Sequence, residues 1–205
     1  MSRAELRDVD MATIHEGNPL MEGVIHHVFA KASDIARRPD VLHFLDPAVA
    51  HTMYAFRDAA LGPVEEMCGK LLLVIPIAEY DSASSNGGHW STLVLLRASA
   101  EMPFSAFRLD SLYDKNKELC ASFLEMLHRC SPCGDCIPLC SEAVDFPSQE
   151  NSTDCGCFVC LAALHIASGV QKKGVCDTLL TFPPSWDTSQ FRRALLEEVQ
   201  EKGIP

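Results

Sequence analysis

An α+β fold is predicted for this chain. Three observations carry that prediction: the first third reads as mostly helical, the middle switches to strand signals, and helical patterns return towards the C-terminus. Helices and strands are thus partly segregated along the sequence, as in α+β domains.

The elements follow in order. Leu20, Val24, His27, Val28 and Ala30 recur at helical spacing. A second apolar segment runs from Val41 through Phe44, Val49, Met53 and Phe56, punctuated by Pro39 and Pro47. Leu71 to Ile77 is a continuous apolar run, as expected of a buried strand. A polar loop, Asp81 to Gly88, precedes a second strand at Ser91–Leu96. Ala106–Leu109 reads as a third, paired with the second across the Pro103 turn. Leu119, Phe123, Met126 and Leu127 stripe an amphipathic helix. A short strand is possible at Ala143-Val144. A helix apolar nearly all round starts near Cys155 and is expected to end about Ser168, with Gly169 just past its end. Asp187, with Gln190 three residues on, opens a last helix through Phe191, Leu195 and Val199.

The chain has 205 residues, 47% hydrophobic and 22% charged. That length predicts one domain spanning 1–205, with roughly 70% of its unfolded surface buried. Seventeen basic against 28 acidic residues leave a net charge of −11. An acidic chain repels phosphate backbones, so nucleic acid is not the expected partner, and a basic protein face is. A monomer is the default expectation.

Ten cysteines suggest at first a disulfide framework. However, Met1 to Glu5 carry no apolar segment of a secretory signal, and no run of about 18 apolar residues suggests a membrane span. The expectation is a cytoplasmic or nuclear chain with reduced thiols acting as core residues, metal ligands or a nucleophile. Cys130-x-x-Cys133-x-x-Cys136-x-x-x-Cys140 has the spacing of a bacterial ferredoxin run, but Ser141 stands where proline is usual and no second quartet follows. Those four could also hold zinc. The favoured reading is a thiol-rich loop with no metal and no cofactor. Cys68, Cys120, Cys157, Cys160 and Cys176 read as ordinary core thiols.

The segment Gln149-Glu150-Asn151-Ser152-Thr153-Asp154-Cys155-Gly156 carries the chemistry. Asp154 is a plausible N-cap, which puts Cys155 in a first helical turn, where exposed N–H groups and the helix dipole favour a thiolate. Gly156 leaves room for a substrate backbone. Gln149 lies six residues before Cys155, on a loop that can bring its amide beside the Cys155 N–H as a second oxyanion donor. A nucleophilic cysteine needs a base, and His89 sits where the polar loop meets a strand. Asp110 ends the neighbouring strand and can orient His89.

Together, His89-Trp90, Asp110 and the Gln149-to-Gly156 segment resemble the ubiquitin-like-protein-specific cysteine proteases, the sentrin/SUMO protease family of adenovirus-protease type. The resemblance implies a papain-like fold with a central, mostly antiparallel sheet flanked by helices. It implies that Cys155 attacks the carbonyl after a Gly-Gly tail, His89 is base and then acid, Asp110 orients His89, and Gln149 helps form the oxyanion hole. Trp90 would roof a tunnel that admits only the paired glycines, with Gly156 and Asn151 also on the substrate side. The implied partner is a ubiquitin-like modifier and its conjugates.

Within the family, Asp81 to Trp90 resembles the loop before the His-Trp pair of the deneddylating branch, so the neddylation modifier is the favoured substrate. One departure concerns the start, where the family's Trp-Leu-Asn/Asp-Asp signature is replaced by Asn18-Pro19-Leu20-Met21-Glu22. The other readings are SUMO or ubiquitin as modifier, an acyltransferase with a similar Cys–His pair, and an inactive modifier-binding module. The intact catalytic set argues against the last.

Overall fold

The structure, a computed structural model, describes residues 6–56, 66–78, 88–175 and 180–201. A five-stranded mixed sheet runs in the order β1-β2-β3-β4-β5, with helices on both faces. The chain opens with α1 (Asp8–Ala12) and α2 (Glu22–Ala36). Next come β1 (Leu42–Phe44) and α3 (Pro47–Phe56). The segment read as one apolar stretch from Val41 to Phe56 is therefore a strand and a helix. Pro47 separates them: its fixed φ suits a first helical residue, and Asp46 Oδ1 accepts the Ala48 N–H at 2.8 Å.

The core strands are β2 (Leu72–Ala78), β3 (Trp90–Leu96) and β4 (Ser105–Leu109). β3 pairs antiparallel with both neighbours, and the expected pairing across Pro103 is in place, with Leu96 opposite Ser105 and Thr92 opposite Leu109. The edges are short and parallel. β1 pairs with β2, and β5 (Glu142–Ala143), one residue earlier than expected, lies along Phe107 and Arg108. Strand alternation sends Leu72 and Val74 to one face and Leu73, Ile75 and Ile77 to the other. On the first face lie α2, α5 (Cys155–Lys173) and α6 (Thr188–Glu201); on the second lie α3 and α4 (Lys117–Cys130).

α5 continues past Gly169 to Lys173 and stops at Gly174, whose φ is +77°. Val170 is buried, and this core contact carries the helix through the glycine that was expected to end it. By length and composition, with a mean hydropathy of 1.3, α5 is long and apolar enough to cross a membrane, although no such span was expected from the sequence. Here its apolar residues lie in the core against α2 and β3. Asp187 caps α6 as expected, accepting the Gln190 N–H at 2.7 Å.

Candidate active site

α5 crosses the sheet so that its first turn lies near the start of β3. His89 immediately precedes β3, and Asp110 immediately follows β4. The antiparallel register sets Leu109 opposite Thr92, which brings Asp110 alongside the start of β3 and within reach of His89. His89 Nε2 and Asp110 Oδ1 are 2.6 Å apart, both side chains nearly fully buried. Asp110 Oδ1 also accepts the Leu112 N–H, and Oδ2 accepts the Asn116 N–H, each at 2.9 Å. Burial works to raise the carboxyl, but these three donors prevail and hold it below the usual carboxylate range.

Burial alone would lower the His89 imidazole, yet the hydrogen bonds and charges of Asp110 and Cys155 outweigh it and raise it to about 9. Nε2 is taken by Asp110, which leaves the buried Nδ1 as the ring nitrogen for Cys155. An imidazolium beside the sulfur is the partner that a thiolate nucleophile needs. A stability consequence follows. Between pH 6.5 and about 9 the folded protein keeps a proton that the unfolded chain releases. Stability from this group is thus complete below 6.5 and is lost as pH rises through about 9. Urea midpoints measured across this window should fall in the parent and fall less steeply in His89→Gln; equal slopes would contradict the raised value.

Cys155 is the first residue of α5 and is 5% exposed. N–H groups in a first helical turn have no intrahelical acceptor, so the Cys155 N–H is free of the helix ladder. Gln149 lies on the preceding loop, against Ser111. Its backbone N–H donates to Ser111 O at 3.0 Å, and Ser111 Oγ donates to its Oε1 at 2.6 Å. Its Nε2 donates to Asn151 O at 2.5 Å, which spends one amide hydrogen and leaves a second. Ser111 follows Asp110 directly, so one turn carries both the acid and the residue that orients Gln149. The sequence reading did not identify Ser111.

That turn is strained. Tyr113 and Asp114 are consecutive left-handed residues, at φ 48° and 66°, a conformation that costs side-chain-bearing residues free energy. Buried Arg108 holds it by donating to Asp114 Oδ1 from Nε at 2.9 Å and from Nη2 at 2.7 Å.

Asp154 occupies the N-cap position, but its side chain makes no cap hydrogen bond. It is turned instead towards Asn151 Nδ2 at 2.9 Å, Thr188 Oγ1 at 2.6 Å and Arg192 Nη2 at 2.7 Å. Arg192, on α6 and 2% exposed, also donates to the carbonyls of Thr13, Ile14, His15 and Asn18. One guanidinium thus joins the N-terminal segment, the cysteine loop and the last helix. At this position Asp154 makes a buried charge pair and not a cap, and no local sequence pattern announces it.

The residues placed on the substrate side have internal roles. Asn151 Oδ1 accepts the N–H groups of Thr153 and Asp154 at 3.0 and 2.9 Å, which shapes the loop. A Cβ at position 156 would come 2.8 Å from the Leu20 Cβ, so glycine is needed there for the chain to pack on itself. Trp90, at the start of β3, is largely buried.

The other cysteines divide as follows. Burial pushes the Cys120 and Cys157 thiols up to about 12 and Cys160 well above its ordinary value, as for inert core thiols. Cys176 and the loop residues 81–87 lie outside the described residues. Among the described residues, no three of His, Cys, Asp and Glu gather to hold a metal ion. A Cβ at Gly134 would meet His128 O at 2.0 Å, and Ser131 Oγ lies 3.2 Å from Cys68 Sγ and 3.1 Å from Cys133 Sγ.

No protein-family profile and no curated protein matches this chain. Solved structures do. The Xanthomonas campestris effector XopD, bound to ubiquitin, aligns at TM-score 0.68 and 18% identity over 97% of this chain and 100% of that one. The SUMO protease Ulp1 with its catalytic cysteine oxidised to a sulfinic acid aligns at 0.61 and 16% over 100% and 88%. The Ulp1 C-terminal protease domain in complex with SMT3, the yeast ortholog of SUMO, aligns at 0.63 and 14% over 97% and 87%. The chain has the α+β fold of these protease domains.

Proposed function

We propose that this protein is a thiol isopeptidase that cleaves a ubiquitin-like modifier after its C-terminal Gly-Gly, for deconjugation or for trimming a precursor. The observation that carries the proposal is the meeting of three chain segments: a buried His89–Asp110 pair, Cys155 at a helix start, and Gln149 oriented by Ser111. The fold shared with ubiquitin-bound XopD and SMT3-bound Ulp1 supports the substrate class.

Each group has one task. The Cys155 sulfur adds to the carbonyl carbon of the last glycine. The oxyanion is held by the Cys155 N–H and the remaining Gln149 N–H. Protonated His89 gives its proton to the departing lysine amine, and a thioester remains. Water then loses a proton to His89 and attacks the thioester, which releases the modifier carboxylate and the thiol. Asp110 keeps the imidazole in one orientation throughout. Trp90 next to His89 walls the channel for the two glycines, where any side chain would clash.

Within the class we favour the neddylation modifier, on the residues from Asp81 to Trp90. The test is hydrolysis of C-terminal fluorogenic conjugates of the neddylation modifier, SUMO and ubiquitin. Fastest release from the first supports the favoured substrate. Fastest release from another reassigns it, and no release from any removes the isopeptidase reading. On the conjugate that is cleaved, Gln149→Ala should lower kcat by about 10²–10³, or about 2.7–4 kcal/mol of transition-state stabilisation. An unchanged kcat would remove Gln149 from the oxyanion hole.

A further inference from the structure

We infer that Asn116 is the positioning residue that locks the general base to its acid partner. The inference rests on the proposed cysteine chemistry at the same site. His89 immediately precedes β3. Asn116 holds its backbone there, because its Nδ2 donates to His89 O at 2.8 Å. The second Nδ2 hydrogen goes to Ser91 Oγ at 3.0 Å, on β3. The Asn116 backbone N–H donates to Asp110 Oδ2 at 2.9 Å.

One residue thus grips both sides of the ion pair, the carboxylate through its backbone and the histidine main chain through its side chain. It is 2% exposed, and each of its three N–H hydrogens has an acceptor. Few residue types meet this demand. The side chain must reach the main-chain carbonyl just before β3 and must offer two donors to two acceptors. Aspartate has the same shape but would turn acceptors towards two oxygens. Alanine would leave His89 O without this donor.

The hydrogen bonds of Asn116 go to Asp110, His89 and Ser91, so its effect comes through the His89–Asp110 pair. The titratable groups acting on the His89 ring are Asp110 and Cys155. Arg108 and Asp114 lie beyond Asp110 along the same groove, and Cys120 on α4, held neutral by burial, feels Asp110. Loosening Asn116 weakens the Asp110–His89 contact and leaves those other groups in place. His89 then releases its proton at lower pH.

The experiment compares Asn116→Ala, Asn116→Leu and Ser91→Ala with the parent, with melting curves to show that each is folded. The first readout is the pH profile of Cys155 alkylation by iodoacetamide, which needs no modifier. The second is kcat and KM on the cleaved conjugate. Asn116→Ala and Asn116→Leu, which remove the donors without adding a charge, should move the alkaline limb of the alkylation profile to lower pH. They should lower kcat by about 10²-fold, the cost of a misplacement near 1 Å, with KM nearly unchanged. Ser91→Ala removes the other acceptor and leaves the limb where it was. Superimposable profiles, or an equal shift in Ser91→Ala, would overturn the inference. A shifted profile in a protein that cleaves no conjugate would uphold Asn116 and sink the isopeptidase reading, so the two failures are distinct. If Asn116→Ala does not fold, Asn116→Leu, which is close to asparagine in shape, gives the decision.

Discussion

Replacing Cys155 by alanine is expected to lower turnover by about 10⁶-fold, the scale seen when the nucleophile of a catalytic triad is deleted. The size of the effect follows from the arrangement. Without sulfur there is no acyl-enzyme, and His89, Asp110 and Gln149 then have nothing to activate. The fold should survive, because the substitution removes one atom from a small buried side chain at a helix start where the backbone supplies the structure. Affinity for the modifier should also survive, since the substitution removes only the sulfur. Steady-state hydrolysis, a melting curve and a binding isotherm check the three parts. Substantial residual hydrolysis would place the nucleophile elsewhere.

The second large effect concerns stability. Arg192→Met should destabilise the protein by about 3–5 kcal/mol, the usual loss when one partner of a buried ion pair is removed. For a chain of this length that corresponds to roughly 6–20 °C in the melting temperature. The cost has two sources. Asp154 loses its buried counter-charge, and the carbonyls of Thr13, Ile14, His15 and Asn18 lose their common donor. Adding Asp154→Asn to Arg192→Met should restore only part of the stability, because it relieves the charge and not the carbonyls. Full restoration would mean that the ion pair alone matters. Activity should fall with stability in the single variant, because Asp154 directly precedes Cys155. Chemical denaturation at neutral pH reads the loss, and a change below about 1 kcal/mol would contradict this account.

The reach of the sequence depended on how local each feature was. β2, β3, β4 and the amphipathic α4 were legible because their hydrophobic periods are complete within one segment. The candidate site was legible for the same reason, with chemistry carried in two short runs around His89 and Cys155 and in Asp110 at a strand end. β1 was not, because three residues paired on an edge have no period of their own, and only Leu72, Leu73 and Val74 make them a strand. The end of α5 was misplaced because Gly169 is a local stop signal that the burial of Val170 overrides. Arg192 reads as one more charge on an amphipathic helix, and its carbonyl partners near residues 13–18 are remote in sequence. Asn116 reads as a turn residue six positions after Asp110, and its bond to His89 exists only once the strands are paired. Gly156 was legible as a residue that must be small, but the neighbour that requires this is Leu20.

The central claim is that Cys155, activated by His89, receives the acyl group of a modifier ending in Gly-Gly. The most direct measurement is intact-protein mass after incubation with modifiers that carry an electrophile in place of the last carboxylate. The prediction is a single added modifier in the parent, mapped to Cys155 and absent from Cys155→Ala. Adduct formation that persists in Cys155→Ala, or its absence with the modifiers of all three types, would contradict the claim.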